Sequence, residues 1–392
     1  MTATQPVWDD GRWTSLAPLA GDVTADTCVI GLGGAGLSAL GTLADLGVHA
    51  VGLAAGRVAD GAAGGNGGFL LAGLASFHHK VIEQVGRERA SAIYLATLRE
   101  MSRMAEETPD CVRRTGSLRI AESAEESADC DVQLAALRAD GFAAEPFDGA
   151  EGRGLSFPGD CSLQPMARAR ILAARLVARG VALHEASAVT SIAPANDSGA
   201  GAATGVVVGT ASGTVRCRTV IDATDGALAL VLPELAARVT RTRLQMLATA
   251  PVDRDVARCP VYARWGYDYW QQLPDGRIAI GGARDADPGA DNPNVVEPTM
   301  EVQRLLERRL RESLRVSEPV THRWAAAVSY SSNGLPIAEE VRPRVWALGA
   351  YNGTGNVVGP LLGRAVAVIV ASTLRPVTAI EAARTVALFT SA

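Results

Sequence analysis

Lysine is almost missing from this chain. Lys80 stands alone against 36 arginines (37 − 1), a bias read first as genome composition. Basic residues do not outnumber acids. With 37 Lys+Arg against 42 Asp+Glu the net charge is −5, which argues against a nucleic-acid partner, because a phosphate backbone calls for a basic face. Long apolar runs are lacking too. The one near the C-terminus, Ala365–Ala371, falls far short of the roughly 20 residues of a membrane span, so no membrane partner is expected. The N-terminus carries Asp9 and Asp10 instead of a basic leader region, unlike a secretory signal. No C-x-x-C pair occurs among Cys28, Cys111, Cys130, Cys161, Cys217 and Cys259. Neither a disulfide framework nor a metal site is expected, and free thiols in a reducing cytoplasm are the plain reading. What is present is globular: 48% apolar and 20% charged residues, with 41 Gly and 19 Pro, rule out a disordered or collagen-like chain. At 392 residues the prior is two to three domains.

Residues 1–25 read as an irregular lead-in. Thr27–Ile30 is a β-branched run that reads as a strand. It meets Gly31-Leu32-Gly33-Gly34-Ala35-Gly36, and Leu37, Leu40, Leu43 and Leu46 then mark a helix closed by Gly47. Val48–Leu53 is a second strand, which completes a βαβ unit. Further on, Val81–Glu107, Glu125–Ala139 and Met166–Arg179 are expected as helices and Val181–His184 as a strand. Gly205–Gly209 and Thr214–Ile221 read as paired strands, and Tyr262–Leu273 and Arg277–Gly281 as a hairpin around Pro274-Asp275-Gly276. A helix follows around Val302–Leu314, then strands Val320–Tyr330 and Val345–Ala350, and a closing helix Val357–Ser372. The alternation predicts an α/β fold: a discontinuous Rossmann-like nucleotide domain with an inserted antiparallel-sheet α+β domain. The nucleotide domain is assigned 26–75, 160–235 and 340–392, the insert 76–159 and 236–339, with 1–25 as an extension.

Gly31, Gly33 and Gly36 form G-x-G-x-x-G between a strand and a helix, the context that gives this motif its meaning. The first glycine permits the tight turn, the second lets a pyrophosphate approach, and the third lets helix and strand pack. Backbone N–H groups and the helix dipole then face an anion. The acid that usually ends the second strand and binds a ribose is missing, and Ala54 stands in its place. Arg57 is near enough to hold a 2′-phosphate instead, which keeps an NADP-dependent dehydrogenase open as an alternative.

Taken in order, several segments resemble the D-amino-acid oxidase (DAO) family of FAD-dependent oxidoreductases, a group that includes glycine oxidase, sarcosine oxidase and γ-glutamylputrescine oxidoreductase. The resemblance covers about residues 26–375. Beyond the glycine turn it rests on Gly61-Ala62-Ala63-Gly64-Gly65-Asn66-Gly67-Gly68-Phe69, on Asp222-Ala223-Thr224-Asp225-Gly226, and on Pro274–Gly282. It rests also on His322-Arg323-Trp324 and on Gly349-Ala350-Tyr351-Asn352-Gly353-Thr354-Gly355-Asn356. The resemblance implies non-covalent FAD, since no cysteine lies near Tyr351–Asn356. Its contacts are placed at Gly31, Gly33, Gly34, Ala35, Gly36, Arg57, Ala63, Gly64, Asn66, Gly67, Gly68, Phe69, Val189, Ala223, Thr224, Trp324 and Tyr351–Asn356. A helix beginning near Val357 would aim its dipole at the flavin.

By period two, Tyr262, Arg264, Asp268 and Trp270 share one face of their strand, and Trp265, Tyr267, Tyr269 and Gln271 the other. Tyr267, Tyr269, His322, Trp324 and Tyr330 are expected to line a substrate pocket, Arg284 to bind a carboxylate, and His78 or His79 to supply positive charge or accept a proton. The implied reaction is oxidation of a C–N bond in a small amine or amino acid by hydride transfer to flavin N5, with oxygen as acceptor. A family member that binds flavin without turnover is the second alternative.

Overall fold

The computed structural model describes residues 3–195 and 205–390. The chain divides into two compact units. One comprises the segment ending at Asp9, Gly65–Pro165 and Thr242–Ala327; the other comprises Asp10–Gly64, Met166–Arg241 and the chain from Val328 on. Segment 65–75, expected with the nucleotide domain, thus belongs to the first unit, and 328–339, expected with the insert, belongs to the second.

The second unit is built on a six-stranded sheet. Its order is Ala182–His184, Ala50–Leu53, Thr27–Ile30, Thr219–Asp222, Val345–Gly349 and Ile337–Arg342. The first five are parallel and the last is antiparallel. Thr27–Ile30, Ala50–Leu53 and Thr219–Asp222 are buried at every position, as continuous apolar runs covered on both faces should be. A four-stranded sheet, Val23–Thr24, Thr214–Cys217, Val206–Thr210 and Val189–Pro194, packs into the same core with Leu19. The helix Gly34–Asp45 meets the helix Gly355–Ser372 through small residues: a Cβ at Gly363 would stand 2.3 Å from the Ala35 carbonyl oxygen. Among the described residues, Gly355–Ser372 is the one helix long and apolar enough to cross a membrane. Two-thirds of it is buried in the protein, the pattern of a core helix.

The first unit carries an eight-stranded sheet in the order Val320–Ser331, Val239–Thr249, Ile278–Gly282, Asp268–Gln272, Val261–Ala263, Ser117–Ile120, Gly152–Phe157 and Glu145–Gly149. Its helices include Met300–Glu312 and Ala124–Ala139. Ser123 caps the latter by accepting a hydrogen bond from the Glu126 amide.

Three expectations are corrected. The single helix Val81–Glu107 is two, His78–Val85 and Arg87–Glu107, broken where Gly86 takes φ +82. The strand Thr214–Ile221 splits at Arg218, with Thr214–Cys217 entering the four-stranded sheet and Thr219–Asp222 the parallel one. The strand Tyr262–Leu273 is interrupted by a 3₁₀ turn, Arg264–Gly266, in which Arg264 and Trp265 are left-handed. The lead-in is irregular over residues 3–22, as expected, with Trp13 Nε1 donating to Glu185 at 2.8 Å, and its end, Val23–Thr24, joins a sheet.

Candidate functional site

In the second unit the glycine turn closes the strand Thr27–Ile30. Gly31 has φ +99, and a Cβ there would stand 2.7 Å from the Ala223 oxygen; a Cβ at Gly36 would stand 1.9 Å from the Gly31 oxygen. The chain's own backbone therefore demands both glycines. Gly33 differs, since a Cβ there would meet only the Ala63 methyl, at 3.1 Å. It is the N-cap of the helix, which carries no side-chain cap and no acid in its first turn. Gly34 is backed by the Pro360 ring and Ala35 is buried. An uncapped helix start with small residues fits a pyrophosphate. Gly64 is tight against its surroundings, with a Cβ 2.3 Å from the Ala59 oxygen.

The missing ribose acid has a local explanation that the sequence did not give. Ala54 is buried and its amide donates to the His184 oxygen of the neighbouring strand. The next residue there, Glu185, is a buried acid whose oxygens accept from Trp13 Nε1, the Leu16 amide and the Val58 amide. Arg57 donates to the Trp13 carbonyl at 3.2 Å. Val189 begins its strand half-buried.

The C-terminal loop is strained in the manner of a ligand-binding bend. Ala350 and Asn352 are left-handed, followed by Gly353 at φ +93. Asn352 locks the bend: its Oδ1 accepts from the Ser331 amide and its Nδ2 donates to the Ala350 oxygen. Thr354 Oγ1 donates to the Tyr351 oxygen, and the helix Gly355–Ser372 starts without a side-chain cap. A Cβ on Gly353 would lie 3.7 Å from the Tyr330 hydroxyl, so those two predicted residues are brought together. Beside the bend, Thr224 donates through its amide and Oγ1 to Asp222 Oδ1. Burial pushes the carboxyls of Asp222 and Asp225 up to about 7 and about 6.

In the first unit, Gly65–Phe69 lies along the sheet. Trp324 Nε1 donates to the Gly65 oxygen at 2.8 Å, Trp8 Nε1 to the Asn66 oxygen at 2.8 Å, and the Gly68 amide to Asn66 Oδ1 at 2.8 Å. Gln271 Nε2 donates to the Gly67 and Gly68 carbonyls. A Cβ at Gly67 would press on the Tyr269 ring at 3.2 Å. Phe69 stands edge-on to Tyr262 (5.1 Å between centroids) and Tyr269 (6.1 Å).

The two-face assignment of the 262–271 stretch fails here. Tyr262 and Tyr269 are cross-strand partners with rings 5.9 Å apart on one face, because the 3₁₀ turn resets the alternation. Tyr267 leaves the cluster and stacks under the Arg284 guanidinium at 4.6 Å. Trp265 is 38% exposed and donates to Asp129. His322 sits at the far end of its strand, where Thr321 Oγ1 is 2.8 Å from Nδ1; burial and Arg277 both lower its pKa. His78 is enclosed by Tyr94 and Phe142, with Nε2 2.7 Å from Asp140. The arrangement reads as a buried structural pair. Lys80 points to solvent. Sequence reasoning missed Gln271, Tyr262 and Arg119. Arg119 is the cross-strand neighbour of Tyr262, a pairing legible only once the order of strands is known.

Three comparisons bear on this geometry. Residues 26–369 match the model of the DAO family, described as FAD dependent oxidoreductase. γ-Glutamylputrescine oxidoreductase of Escherichia coli (strain K12) is 27% identical over 382 residues, covering 91% of this chain and 86% of that protein. Glycine oxidase from Geobacillus kaustophilus superposes with TM-score 0.71 at 19% identity over 92% of this chain and 98% of the other. L-Proline dehydrogenase from P. horikoshii gives 0.73 at 16% over 92% and 96%. The matched family uses FAD, so the NADP alternative raised by Ala54 and Arg57 is set aside, and Arg57 has a protein partner in its place. Two uncapped helix starts, a glycine segment held open by tryptophan and glutamine donors, and a family match over most of its length together place this chain in the DAO family of FAD-dependent oxidoreductases.

Proposed function

We propose that the enzyme oxidises the C–N bond of a small amine or amino acid to an imine, with dioxygen as the electron acceptor. The observation that carries this reading is the aromatic face of Phe69, Tyr262 and Tyr269, built against Gly67 in the same segment that resembles the flavin-supporting stretch of the family. The names of the similar proteins, an oxidoreductase of γ-glutamylputrescine, a glycine oxidase and an L-proline dehydrogenase, point the same way. Bound FAD supplies a hydride acceptor. The substrate's contribution balances as one hydride from carbon and one proton from nitrogen, leaving C=N.

This chain's residues prepare that step. The uncapped start of Gly34–Asp45 would hold the pyrophosphate. The start of Gly355–Ser372, with Asn352 fixing the bend before it, would set a positive dipole end beside the isoalloxazine. Tyr262 and Tyr269 offer ring faces that exclude water and favour a neutral amine, whose lone pair can form the new double bond. Tyr330 beside Gly353 is assigned to the substrate side of the bend. Dioxygen takes the same two electrons, with two protons, to give hydrogen peroxide. The single lysine is at the surface, so this reading gives it no part in oxygen reduction.

The test is the visible spectrum of the purified protein during anaerobic addition of amines and amino acids. Flavin bands that bleach with an amine and return on admitting air, with peroxide formed, are the expected result. A flavin that dithionite reduces but no amine does would overturn the proposal.

A further inference from the structure

Where the strand Ala50–Leu53 lacks its ribose acid, the fold brings a tryptophan from the amino-terminal ribbon. The parallel register pairs His184 with Leu53, so Glu185 and Ala54 come next on neighbouring strands. They stand at the carboxyl ends of the sheet, the edge where an open α/β sheet takes a dinucleotide. Glu185 does not itself meet a ligand. It is 2% exposed, and its carboxylate already accepts from Trp13 Nε1 at 2.8 Å, the Leu16 amide at 2.8 Å and the Val58 amide at 2.6 Å. What it does is aim Trp13. Arg57, on the loop that follows Ala54, donates through Nη2 to the Trp13 carbonyl at 3.2 Å. The Arg170 guanidinium carbon stands 5.9 Å from the centroid of the Trp13 ring. Between residues 11 and 20 the ribbon is exposed except at Trp13, Leu16 and Leu19. Leu19 is buried in the core, whereas Trp13 is only half-buried. A desolvated carboxylate is a costly holder for a ring that merely covers a surface. A large ring fixed in one orientation and still reached by solvent offers a flat face to a planar partner.

We infer that Trp13 is the wall on which the adenosine end of FAD stacks, with Glu185 as the positioning residue behind it, and that this contact stands in for the acid Ala54 replaces. Stacking on an aromatic ring needs no particular pattern of hydrogen bonds. The site thus gives up a carboxylate's grip on the ribose hydroxyls and gains contact area in its place. Arg57, expected from sequence to touch the cofactor, serves the same end by holding the ribbon. The inference depends on FAD binding and not on the amine chemistry, so a flavin that no amine reduces would leave it standing.

The experiment compares the FAD-loaded full chain with the same chain stripped of FAD and shown to take it up again. Both are treated briefly with N-bromosuccinimide, and indole oxidation is read residue by residue by mass spectrometry. FAD should protect Trp13. Trp346, also half-buried in the second unit but near the amino end of its strand, should react equally in both and serves as the control. Glu185→Gln should bind FAD more weakly and lose part of the protection at Trp13; full protection in that variant overturns the part given to Glu185. FAD affinity is then measured by quenching of flavin fluorescence. Trp13→Leu, with bulk but no ring face, should bind FAD about 10- to 100-fold more weakly, and Trp13→Phe, which keeps a ring, should fall between it and wild type. Equal oxidation of Trp13 with and without FAD, or equal protection of Trp13 and Trp346, overturns the inference. So does an unchanged affinity in Trp13→Leu, or the same loss in both Trp13 variants. The oxidation arm uses the wild-type chain and decides the matter even where a variant fails to fold.

Discussion

Asp222 makes the strongest quantitative prediction. It ends the strand Thr219–Asp222 with no exposed surface; its Oδ1 takes both Thr224 donors while its Oδ2 has no partner among the described residues. Burial raises its carboxyl from the ordinary 3.8 to about 7, outweighing the Thr224 hydrogen bonds. A carboxyl that holds its proton more tightly when folded stabilises the fold at low pH, and that stability is lost as pH rises through the folded value. Each pH unit between the two values is worth about 1.4 kcal/mol, so wild type should lose on the order of 3 kcal/mol from this group between pH 5 and pH 8. Asp222→Asn has no charge to bury and escapes this loss, although its amide would lack an acceptor at a cost of about 1–2 kcal/mol. At pH 5 wild type has already lost about 1.7 kcal/mol over the 1.2 units above 3.8, so the variant should be about as stable as wild type there and more stable at pH 8. With a melting entropy near 0.8 kcal/mol/K for a chain of this size, the Tm difference should swing by about 3–4 °C. Thermal unfolding of both proteins at half-unit pH steps measures it. Parallel Tm curves across that range would refute the argument.

Four further outcomes are expected. Gly36→Ala drives a Cβ to 1.9 Å from the Gly31 oxygen and should yield protein without flavin colour and with lowered Tm. Gly41→Ala, in the same helix with nothing within 4 Å, should gain about 0.5–1 kcal/mol. Gln271→Leu removes the donor that ties down Gly67 and Gly68; about 2 kcal/mol of stability and part of the FAD occupancy should go with it, read by denaturant titration and absorbance. For Asp140, burial raises the carboxyl, yet hydrogen bonds from His78, Ser91 and Arg87 outweigh it and hold it below the usual range. Asp140→Asn should therefore be destabilising at pH 7, with a deficit that shrinks as acid protonates the wild-type carboxyl below about pH 4, visible in unfolding midpoints.

The parallel sheet and its glycine turn were legible because their signals are local. Gly31 and Gly36 answer to atoms of the same βαβ unit, and buried parallel strands announce themselves as unbroken apolar runs. The aromatic face was not legible in the same way. Period-two reasoning placed Tyr262 and Tyr269 on opposite faces because nothing in Arg264-Trp265-Gly266 advertises two consecutive left-handed residues ahead of a glycine. Arg119 was invisible because its neighbours come from residues 77 and 262, and loop closure over such separations leaves no periodic trace. His78 looked reactive in isolation; only the fold supplies Asp140, 62 positions away, as its companion.

Glu185 bears on attempts to redesign the cofactor end of the enzyme. Placing an acid at Ala54, the obvious edit for anyone wanting a tighter grip on the ribose, would add a carboxylate on the strand next to the one that leads into Glu185, already committed to Trp13, Leu16 and Val58, and like charges brought close repel. Clipping the first twenty residues would strip that carboxylate of two of its three donors and leave it stranded. The amino-terminal ribbon and the nucleotide pocket are thus a single engineering unit, and neither can be rewritten without the other.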